Sequence, residues 1–263
     1  MELFIAAGVA AVVALVLFLV SRSLSAKLLD VAGRETSEVA TIVDLAASVA
    51  KEIGAGSFVQ PAEFKGKAVA IEPLKADFSG TDSIWYECVV TREYEEEHWE
   101  TDKDGNRQRR TNRGSEVVSS IRREPVFELD DGSGRIKVDP KGAKLEPEST
   151  WSSFDSSGGS TLGVGGFVFQ ALAEAAGGRR TLGYRFTERA IPAGRMLYVL
   201  GEVADEGGEL RVRKPAKGRF IVSVRSEEAI VAGAKTGILW TRILAAASAA
   251  GSLVALGFAV ASP

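Results

Sequence analysis

The sequence predicts an α+β protein in which a mainly β soluble domain, with several antiparallel hairpins plus an N-terminal amphipathic helix, lies between two transmembrane helices. Three observations predict this class: an apolar run near each end, a helical apolar stripe after the first run, and β-rich runs separated by turn residues. The predicted boundaries are residues 1–21 for the first transmembrane helix, 35–56 for the amphipathic helix, 64–225 for the β-rich domain with a Gly/Ser-rich loop at 148–166, and 238–262 for the second transmembrane helix.

The first apolar run extends from Leu3 to Val20 without a polar side chain. Its length is what a helix needs to cross ~30 Å of hydrocarbon. A cleaved signal peptide has a similar length, but it opens with positive charge. Here the only charged side chain ahead of the run is Glu2. The run is therefore interpreted as a transmembrane helix.

The second apolar run extends from Ile243 to Ala261, and its only polar members are Ser248 and Ser252. It is Ala-rich, so an amphipathic or buried helix is the alternative to a second span. Small residues recur at four-residue spacing in both runs, which permits close helix packing in lipid. We expect the two spans to pack together or to mediate self-association. The residues concerned are Ala6, Ala10 and Ala14 in the first run and Ala247, Gly251, Ala255 and Ala259 in the second.

The basic residues predict the orientation of the chain in the membrane. All 32 Lys and Arg residues lie between Arg22 and Arg242, inside the segment that joins the two runs. Basic residues close to spans stay on the cytoplasmic side. The sequence therefore predicts an integral, two-pass membrane protein whose inter-span domain is cytoplasmic and whose termini are both external.

The amphipathic helix is predicted from apolar residues that share one face at helical spacing. Gly54 and Gly56 end the helix. We expect this face to pack on the soluble domain or on the membrane surface. The face comprises Val39, Ile42, Val43, Ala46, Val49, Ala50 and Ile53.

From Phe64 onward the pattern is typical of strands. The predicted strands are Lys67 to Ile71, Ile84 to Tyr94, Glu116 to Arg122, Val126 to Leu129, Arg135 to Val138, Met196 to Val203, Glu209 to Arg213 and Arg219 to Val224. Residues 131–134 (DGSG) and 206–209 (EGGE) have the composition of hairpin turns. The Ser and Gly content of residues 148–166 indicates a flexible loop, and residues 167–173 are a short apolar helix candidate for the core or for lipid contact.

A charge-rich stretch extends from Thr91 to Arg113. With residues 104–105 (DG) as a two-residue hairpin loop, the register places Asp102 opposite Arg107, Glu100 opposite Arg109 and Glu96 opposite Arg113. Such pairs predict a hairpin that satisfies its own charges. An Arg cluster for phosphate or anionic headgroups is the functional alternative.

Composition excludes several kinds of site. One Cys and one His, Cys88 and His98, cannot form a Cys/His zinc site, which takes four ligands for each metal. His98 is expected to be an exposed strand residue and Cys88 a buried thiol. No catalytic, cofactor-binding or metal-ligating residue is predicted, and no cofactor. With a formal charge of −3, no nucleic-acid partner is predicted either.

Several segments together resemble one known family. They are Trp85-Tyr86 in a strand and residues 125–134 (PVFELDDGSG), 138–143 (VDPKGA), 185–194 (RFTERAIPAG) and 197–202 (LYVLGE). With the two apolar runs around them, they are similar to the GIDE-type domain, also called BAM, for "beside a membrane". The likeness covers roughly residues 64–225 and the order of the spans.

The resemblance implies a function at a membrane. Members of this family in mitochondrial and chloroplast outer membranes are E3 ubiquitin ligases of organelle organisation, whose ligase activity belongs to a C-terminal RING. One Cys and one His cannot supply the eight zinc ligands of a RING, so we expect a RING-less member without intrinsic transferase activity. The resemblance thus predicts a membrane-anchored binding or scaffold module with a lipid bilayer and an unknown protein as partners. The alternative is a membrane-bound enzyme, either an E3 ubiquitin transferase by family or one with an unrecognised site near Arg179, Arg180 and Arg185.

Overall fold

The computed structural model describes residues 2–32, 35–72, 74–101, 106–156, 161–164, 167–170 and 179–261. The helices in this part of the chain are α1 (Glu2–Ala32), α2 (Val39–Ile53) and α3 (Glu227–Ala261). The strands are β1 (Val59–Val69), β2 (Leu74–Lys75), β3 (Asp82–Thr101), β4 (Arg107–Arg123), β5 (Phe127–Asp130), β6 (Arg135–Val138), β7 (Lys144–Glu146), β8 (Glu148–Asp155), β9 (Thr161–Val164), β10 (Phe167–Gln170), β11 (Arg179–Pro192), β12 (Met196–Glu206), β13 (Glu209–Arg213) and β14 (Ile221–Ser223). The predicted class, a mainly β domain between two long apolar helices, is confirmed.

The larger sheet has seven strands in the order β1-β5-β6-β13-β12-β14-β7, and we call it the barrel sheet. An additional pairing of β1 with β12 joins β1, β5, β6, β13 and β12 into a closed ring. Closure removes strand edges and encloses an apolar core. Phe64, Phe127 and Leu129 are among its buried members, each at most 1% exposed.

Helix α2 covers the barrel sheet with the apolar face that the sequence predicted. Its residues Val39, Ile42 and Ala46 are buried in the same core cluster as Phe64. The first turn is capped by the β5–β6 hairpin turn, because the Val39 amide donates to Asp131 Oδ2 at 2.8 Å. The helix therefore packs on the soluble domain, which was one of the two expected locations.

The two hairpin turns predicted from composition are present. Asp130 pairs with Arg135 across residues 131–134, and Glu206 pairs with Glu209. The two residues between the second pair, Gly207 and Gly208, have φ of +67° and +88°. These positive values are what a two-residue hairpin loop requires, and glycine adopts them without strain.

The second sheet, which we call the hairpin sheet, contains β2, β3, β11 and β8 in that order, with β4 also paired to β3. Its longest strands, β3 and β4, form the extended hairpin. The predictions omitted β11, although it lies between β3 and β8 in this sheet. The buried positions of β11 are occupied in turn by Tyr184, Phe186, Glu188 and Ala190. The charged Glu188 interrupts the alternation of apolar and polar residues that predicts a strand.

Two predictions for residues 148–173 were wrong where the structure describes them. The expected loop begins as strand β8, because β11 supplies backbone partners for its Ser-rich sequence. Residues 167–170, expected to be helical, form β10 and pair with β9. Residues 157–160, 165–166 and 171–173 lie outside the described residues.

Helices α1 and α3 contain segments long and apolar enough to cross a membrane, Phe4–Ala26 and Glu227–Phe258. They pack against each other in antiparallel fashion, and the Ser252 hydroxyl donates to the Ala7 carbonyl oxygen at 2.9 Å. The less exposed side chains recur at a seven-residue spacing typical of helix pairs. Among them are Ala7, Ala10, Ala14, Leu17, Ser21 and Leu24 in α1 and Ala234, Ile238, Thr241, Ala245, Ser248, Ser252 and Ala255 in α3.

The four-residue stripe of small residues identified this contact only in part. Ala10 and Ala14 lie in the helix contact, but Ala6, Ala247 and Gly251 are exposed. The observed contact uses alternating steps of three and four residues, whereas the predicted stripe uses steps of four only. Residues at four-residue steps therefore rotate out of the contact along the helix. The side chain of Ala259 is outside those described, and self-association through the helices stays a prediction.

Helix α3 begins at Glu227, eleven residues before the predicted boundary at 238. Its first turns belong to the domain, because Ile230 is buried in a cluster with Tyr198, Leu200 and Ile221. The same helix then continues without a break to Ala261. The sequence missed these turns because polar residues between 227 and 237 end the apolar run.

Candidate partner-binding surface

Within the part of the chain that the structure describes, the extended hairpin projects beyond the rest of its sheet. The described residues of strand β11 pair with β3 as far as Glu96, whereas β4 continues the pairing to Thr101. Residues 97–101 and 106–112, which we call the hairpin tip, therefore form a two-stranded segment. Each β3 side chain from 97 to 101 is exposed.

The register of the hairpin differs by one residue from the predicted register. Thr101 pairs with Arg107, Glu100 with Gln108 and Trp99 with Arg109. Glu96 faces Asn112 and not Arg113, while Asp102 and the predicted loop at 104–105 lie outside the described residues. The prediction assumed a two-residue loop, whereas five residues separate Thr101 from Arg107. A shift of one residue changes every cross-strand pair.

Many of the described charges of the hairpin have ion-pair partners within the hairpin sheet. Arg109 forms an ion pair with Glu97, and Arg110 with Glu100 at 3.1 Å. Glu95 accepts from Arg180 at 2.8 Å and from Arg113 at 3.2 Å, and these bonds lower the pKa of its carboxyl. The hairpin therefore pairs some of its charges within itself, while Glu93, Glu95 and Glu96 pair with arginines of β11, and the predicted pairs Glu100–Arg109 and Glu96–Arg113 are not formed.

Trp99 is the residue of the hairpin tip that sequence reasoning missed. Its side chain is 68% exposed, and it lies opposite Arg109 on the neighbouring strand. Exposed Trp beside Arg is the combination enriched at the energetic centres of protein interfaces. The available signal was a large aromatic residue in a run of glutamates, where no core position is expected.

The arginines proposed for an anionic substrate do not converge on a common point. Arg179, Arg180 and Arg185 lie along β11 and form ion pairs with Glu96, Glu95 and Glu93 of β3 respectively. The Arg179 guanidinium also lies over the Tyr94 ring, 4.8 Å from its centroid. Each of these arginines is thus engaged in holding β11 to β3.

The two residues considered for catalysis have the environments that the sequence predicted. His98 is exposed and lies opposite Arg110 in the hairpin tip. Cys88 is buried, and its thiol donates to Glu188 Oε2 at 3.5 Å. Burial, followed by the nearby Glu188 charge, raises the pKa of Cys88 to about 12. The thiol therefore stays protonated at neutral pH, whereas nucleophilic chemistry requires a thiolate.

Glu188 of β11 joins its own strand to β8 and to the turn between β2 and β3. Its carboxylate is fully buried and accepts hydrogen bonds from the Phe78 amide at 2.7 Å, the Ser79 hydroxyl at 2.5 Å and the Thr150 hydroxyl at 2.6 Å. Burial by itself would raise the pKa of Glu188, but these hydrogen bonds outweigh it and lower the pKa below its ordinary value. The geometry is that of a structural anchor that is ionised at neutral pH.

Glu63 lies in β1 of the barrel sheet, close to where the helices join it. It is 1% exposed, accepts from the Tyr198 hydroxyl at 2.9 Å, and accepts from Thr36 at 3.2 Å in the segment after α1. Its neighbour Lys65 forms an ion pair with Glu227 of α3 at 2.7 Å. Burial is the main cause that raises the pKa of Glu63.

Comparison with known proteins adds a family assignment to this geometry. A family model described as "GIDE: E3 Ubiquitin ligase" matches residues 95–257, from the hairpin into α3. Two Arabidopsis thaliana proteins are similar to the chain. "E3 ubiquitin-protein ligase SPL1" is 33% identical over 121 residues, which cover 42% of this chain and 32% of that protein. "E3 ubiquitin-protein ligase SP1" is 28% identical over 192 residues, which cover 70% and 49% respectively.

These relatives are longer than the part that corresponds to this chain, which spans about a third to a half of their length. No solved structure matches the chain. The matched region contains the whole hairpin tip from Glu97 onward, Glu188 and most of α3.

Proposed function

The chain belongs to the GIDE family of E3-ligase-related membrane proteins, and on that premise we propose that it is a membrane-anchored binding or scaffold module. In this function α1 and α3 both cross the bilayer and hold the β domain at its surface. The β domain recruits a protein partner through the hairpin tip. Any RING that acts with it is supplied by another segment or another chain.

The single observation that supports partner recruitment most strongly is the exposure of Trp99 on a two-stranded projection. The side chain is 68% exposed, although a tryptophan buries a large apolar area when it finds a partner. The ion pairs around it need no external partner, so the tip offers one apolar anchor within a polar rim. This arrangement resembles the centre and rim of a protein interface.

A scaffold also fits the chemistry of the one cysteine. Ubiquitin transfer through a thioester requires a nucleophilic thiolate, and the buried Cys88 thiol has a pKa of about 12. A RING needs eight zinc ligands, and the sequence holds one Cys and one His. We therefore assign recruitment to this chain and catalysis of ubiquitin transfer to a partner.

The proposed orientation places the β domain on the cytoplasmic side with both chain ends on the other side. All Lys and Arg residues lie between the two apolar runs, Leu3 to Val20 and Ile243 to Ala261, and α1 and α3 run antiparallel from a common end at the domain. A protease added to sealed organelles would digest the domain and spare the spans if this orientation is correct. Complete protection of the domain would contradict it.

The test of recruitment is photo-crosslinking of the full chain in native membranes, followed by purification and identification of the attached proteins. Trp99→Ala should abolish the specific adduct. The matched control is Val117→Ala, which removes another exposed apolar side chain, 63% exposed, from the same hairpin. An unchanged adduct with Trp99→Ala would overturn the hairpin tip as the binding surface.

Ubiquitin transfer provides an independent test. The purified full chain with activating and conjugating enzymes should yield no ubiquitin conjugates, while addition of a RING-bearing partner found by crosslinking should yield them. Conjugation by the purified chain alone would refute the scaffold function.

A further inference from the structure

A cavity lies between α1 and α3 at the end of the helix pair nearest the β domain, with a volume of about 540 Å³. The domain fixes this end of the pair, because Arg219 Nη2 donates to the Ser23 carbonyl oxygen of α1 at 3.2 Å. Residues from the two helices, more than two hundred positions apart in sequence, form its wall. They are Phe18, Ser21, Arg22, Ser25, Arg242 and Ala245.

The charge of this cavity is unbalanced. Within the described part of the chain, no carboxylate lies within ion-pair distance of Arg22 or Arg242, whereas the arginines of β11 pair with glutamates. Arg242 Nε donates to the Ser21 hydroxyl at 3.4 Å, which holds the guanidinium at the helix contact. The Ser25 hydroxyl donates to the Ser21 carbonyl oxygen at 2.9 Å. The donors suited to a phosphate are therefore the two guanidinium groups and the Ser21 hydroxyl, which accepts from Arg242 and keeps its own hydrogen.

The apolar members of the wall lie on one side of these donors. Phe18 precedes Ser21 by three residues, and Ala245 follows Arg242 by three residues, so each lies about 5 Å closer to the middle of its span. The polar end thus faces the domain and the apolar end faces the hydrocarbon. A phospholipid has the same order of groups, with a charged headgroup above acyl chains.

We propose that this cavity binds the headgroup of an anionic phospholipid, with its phosphate between Arg22 and Arg242 and its acyl chains along Phe18 and Ala245. The inference rests on the proposed anchoring, because it requires both helices to be embedded in the bilayer. Paired basic residues between membrane helices are suited to anionic headgroups, and unpaired guanidinium groups at the hydrocarbon boundary gain from such a counter-ion.

The test uses the full chain reconstituted into phosphatidylcholine vesicles with phosphatidylglycerol as the anionic probe. After extraction in mild detergent, mass spectrometry measures the ratio of the two lipids that stay bound to the protein. The unmodified chain should enrich phosphatidylglycerol, and R22Q/R242Q should reduce that enrichment on the order of tenfold. R22K/R242K, which keeps both charges, should retain most of it.

K51Q/K141Q provides a matched control, because it removes two positive charges from exposed positions of the soluble domain outside both proposed sites and should leave the enrichment unchanged. An undiminished enrichment in R22Q/R242Q would overturn the lipid site while leaving the anchoring intact. Loss of the unmodified chain from carbonate-washed vesicles would overturn the anchoring as well. Complete displacement of the lipid by inorganic phosphate would show a soluble phosphate site and contradict the proposal.

Discussion

The barrel sheet and the extended hairpin differ in what stabilises them. In the barrel sheet Phe64, Phe127 and Leu129 are completely or almost completely buried, and α2 covers them. In the hairpin tip every described β3 side chain is exposed, and cross-strand ion pairs supply the contacts. Apolar burial stabilises a fold by roughly 25 cal/mol per Å², whereas exposed ion pairs contribute little.

The difference indicates how the domain divides its tasks. Substitutions in the barrel sheet should change whether the chain folds, and substitutions in the hairpin tip should change what it binds. The hairpin tip, whose described β3 side chains are all exposed, can therefore vary its surface without loss of the core. Three predictions test this division, from the largest expected effect to the smallest.

The largest effect is expected for Phe64→Ala in the barrel sheet. Loss of a fully buried Phe leaves a cavity and should lower the free energy of unfolding by about 3–5 kcal/mol. Thermal unfolding of the full chain in detergent, followed by circular dichroism, measures this change. Trp99→Ala in the hairpin tip should stay within ~0.5 kcal/mol of the unmodified chain. If Phe64→Ala and Trp99→Ala lowered the free energy of unfolding equally, the barrel sheet and the hairpin tip would not differ in their contribution to stability.

A smaller loss of stability is expected for Glu188→Gln, which changes a buried residue of the hairpin sheet. The amide cannot replace a carboxylate that accepts from three donors, so the variant should lose about 2–3 kcal/mol at neutral pH. The pKa of Glu188 is lower in the folded state than its ordinary value of 4.5. Its contribution is therefore complete above pH 4.5 and disappears as the pH falls through the folded-state pKa.

The measurement for Glu188→Gln is the midpoint of unfolding as a function of pH. The difference between the variant and the unmodified chain should shrink in acid. A difference that stays constant down to the most acidic pH at which the protein folds would show that charge is not the source of the effect.

The smallest effect, and the opposite sign, is expected for Glu63→Gln. The pKa of Glu63 is raised in the folded state, mainly by burial. The native protein is penalised as the pH rises through that pKa, since Glu63 must then ionise in the interior. The neutral variant escapes this penalty and should be more stable by on the order of 1 kcal/mol at neutral pH.

The same pH series measures this gain, which should vanish below pH 4.5, where Glu63 is protonated in both the folded and the unfolded states. Destabilisation at neutral pH would show that the charged form is required by Tyr198 and Thr36. Glu63 and Glu188 would then not differ in the way proposed.

The sequence predicted those elements whose pattern is decided locally. Both membrane helices, the face of α2 and two hairpin turns followed from apolar periodicity or from glycine chemistry. Strand β11 was missed because a charge occupies the core position of Glu188, and the donors that satisfy it come from residues about 110 and 38 positions away.

The candidate sites depend even more on tertiary structure. The hairpin register depends on how β3 pairs with β4, and the position of Trp99 in the tip depends on how β3 pairs with β11. The cavity brings Arg22 together with Arg242 only because α1 and α3 are antiparallel neighbours. The sequence located the two arginines at the membrane boundary, and it contained no local signal for their proximity.

Helix α3 joins the core of the β domain to the membrane without an interruption, from Ile230 beside Tyr198 to Ser252 beside α1. Because α3 has no break, its C-terminal part beside α1 and its first turns in the β domain share one axis. A change in the direction of the C-terminal part therefore changes the direction of the first turns. A thicker or thinner bilayer changes the tilt of a span. Because Ile230 at the start of the same helix is buried in the β domain, we expect a change of tilt to reorient the domain relative to the bilayer surface.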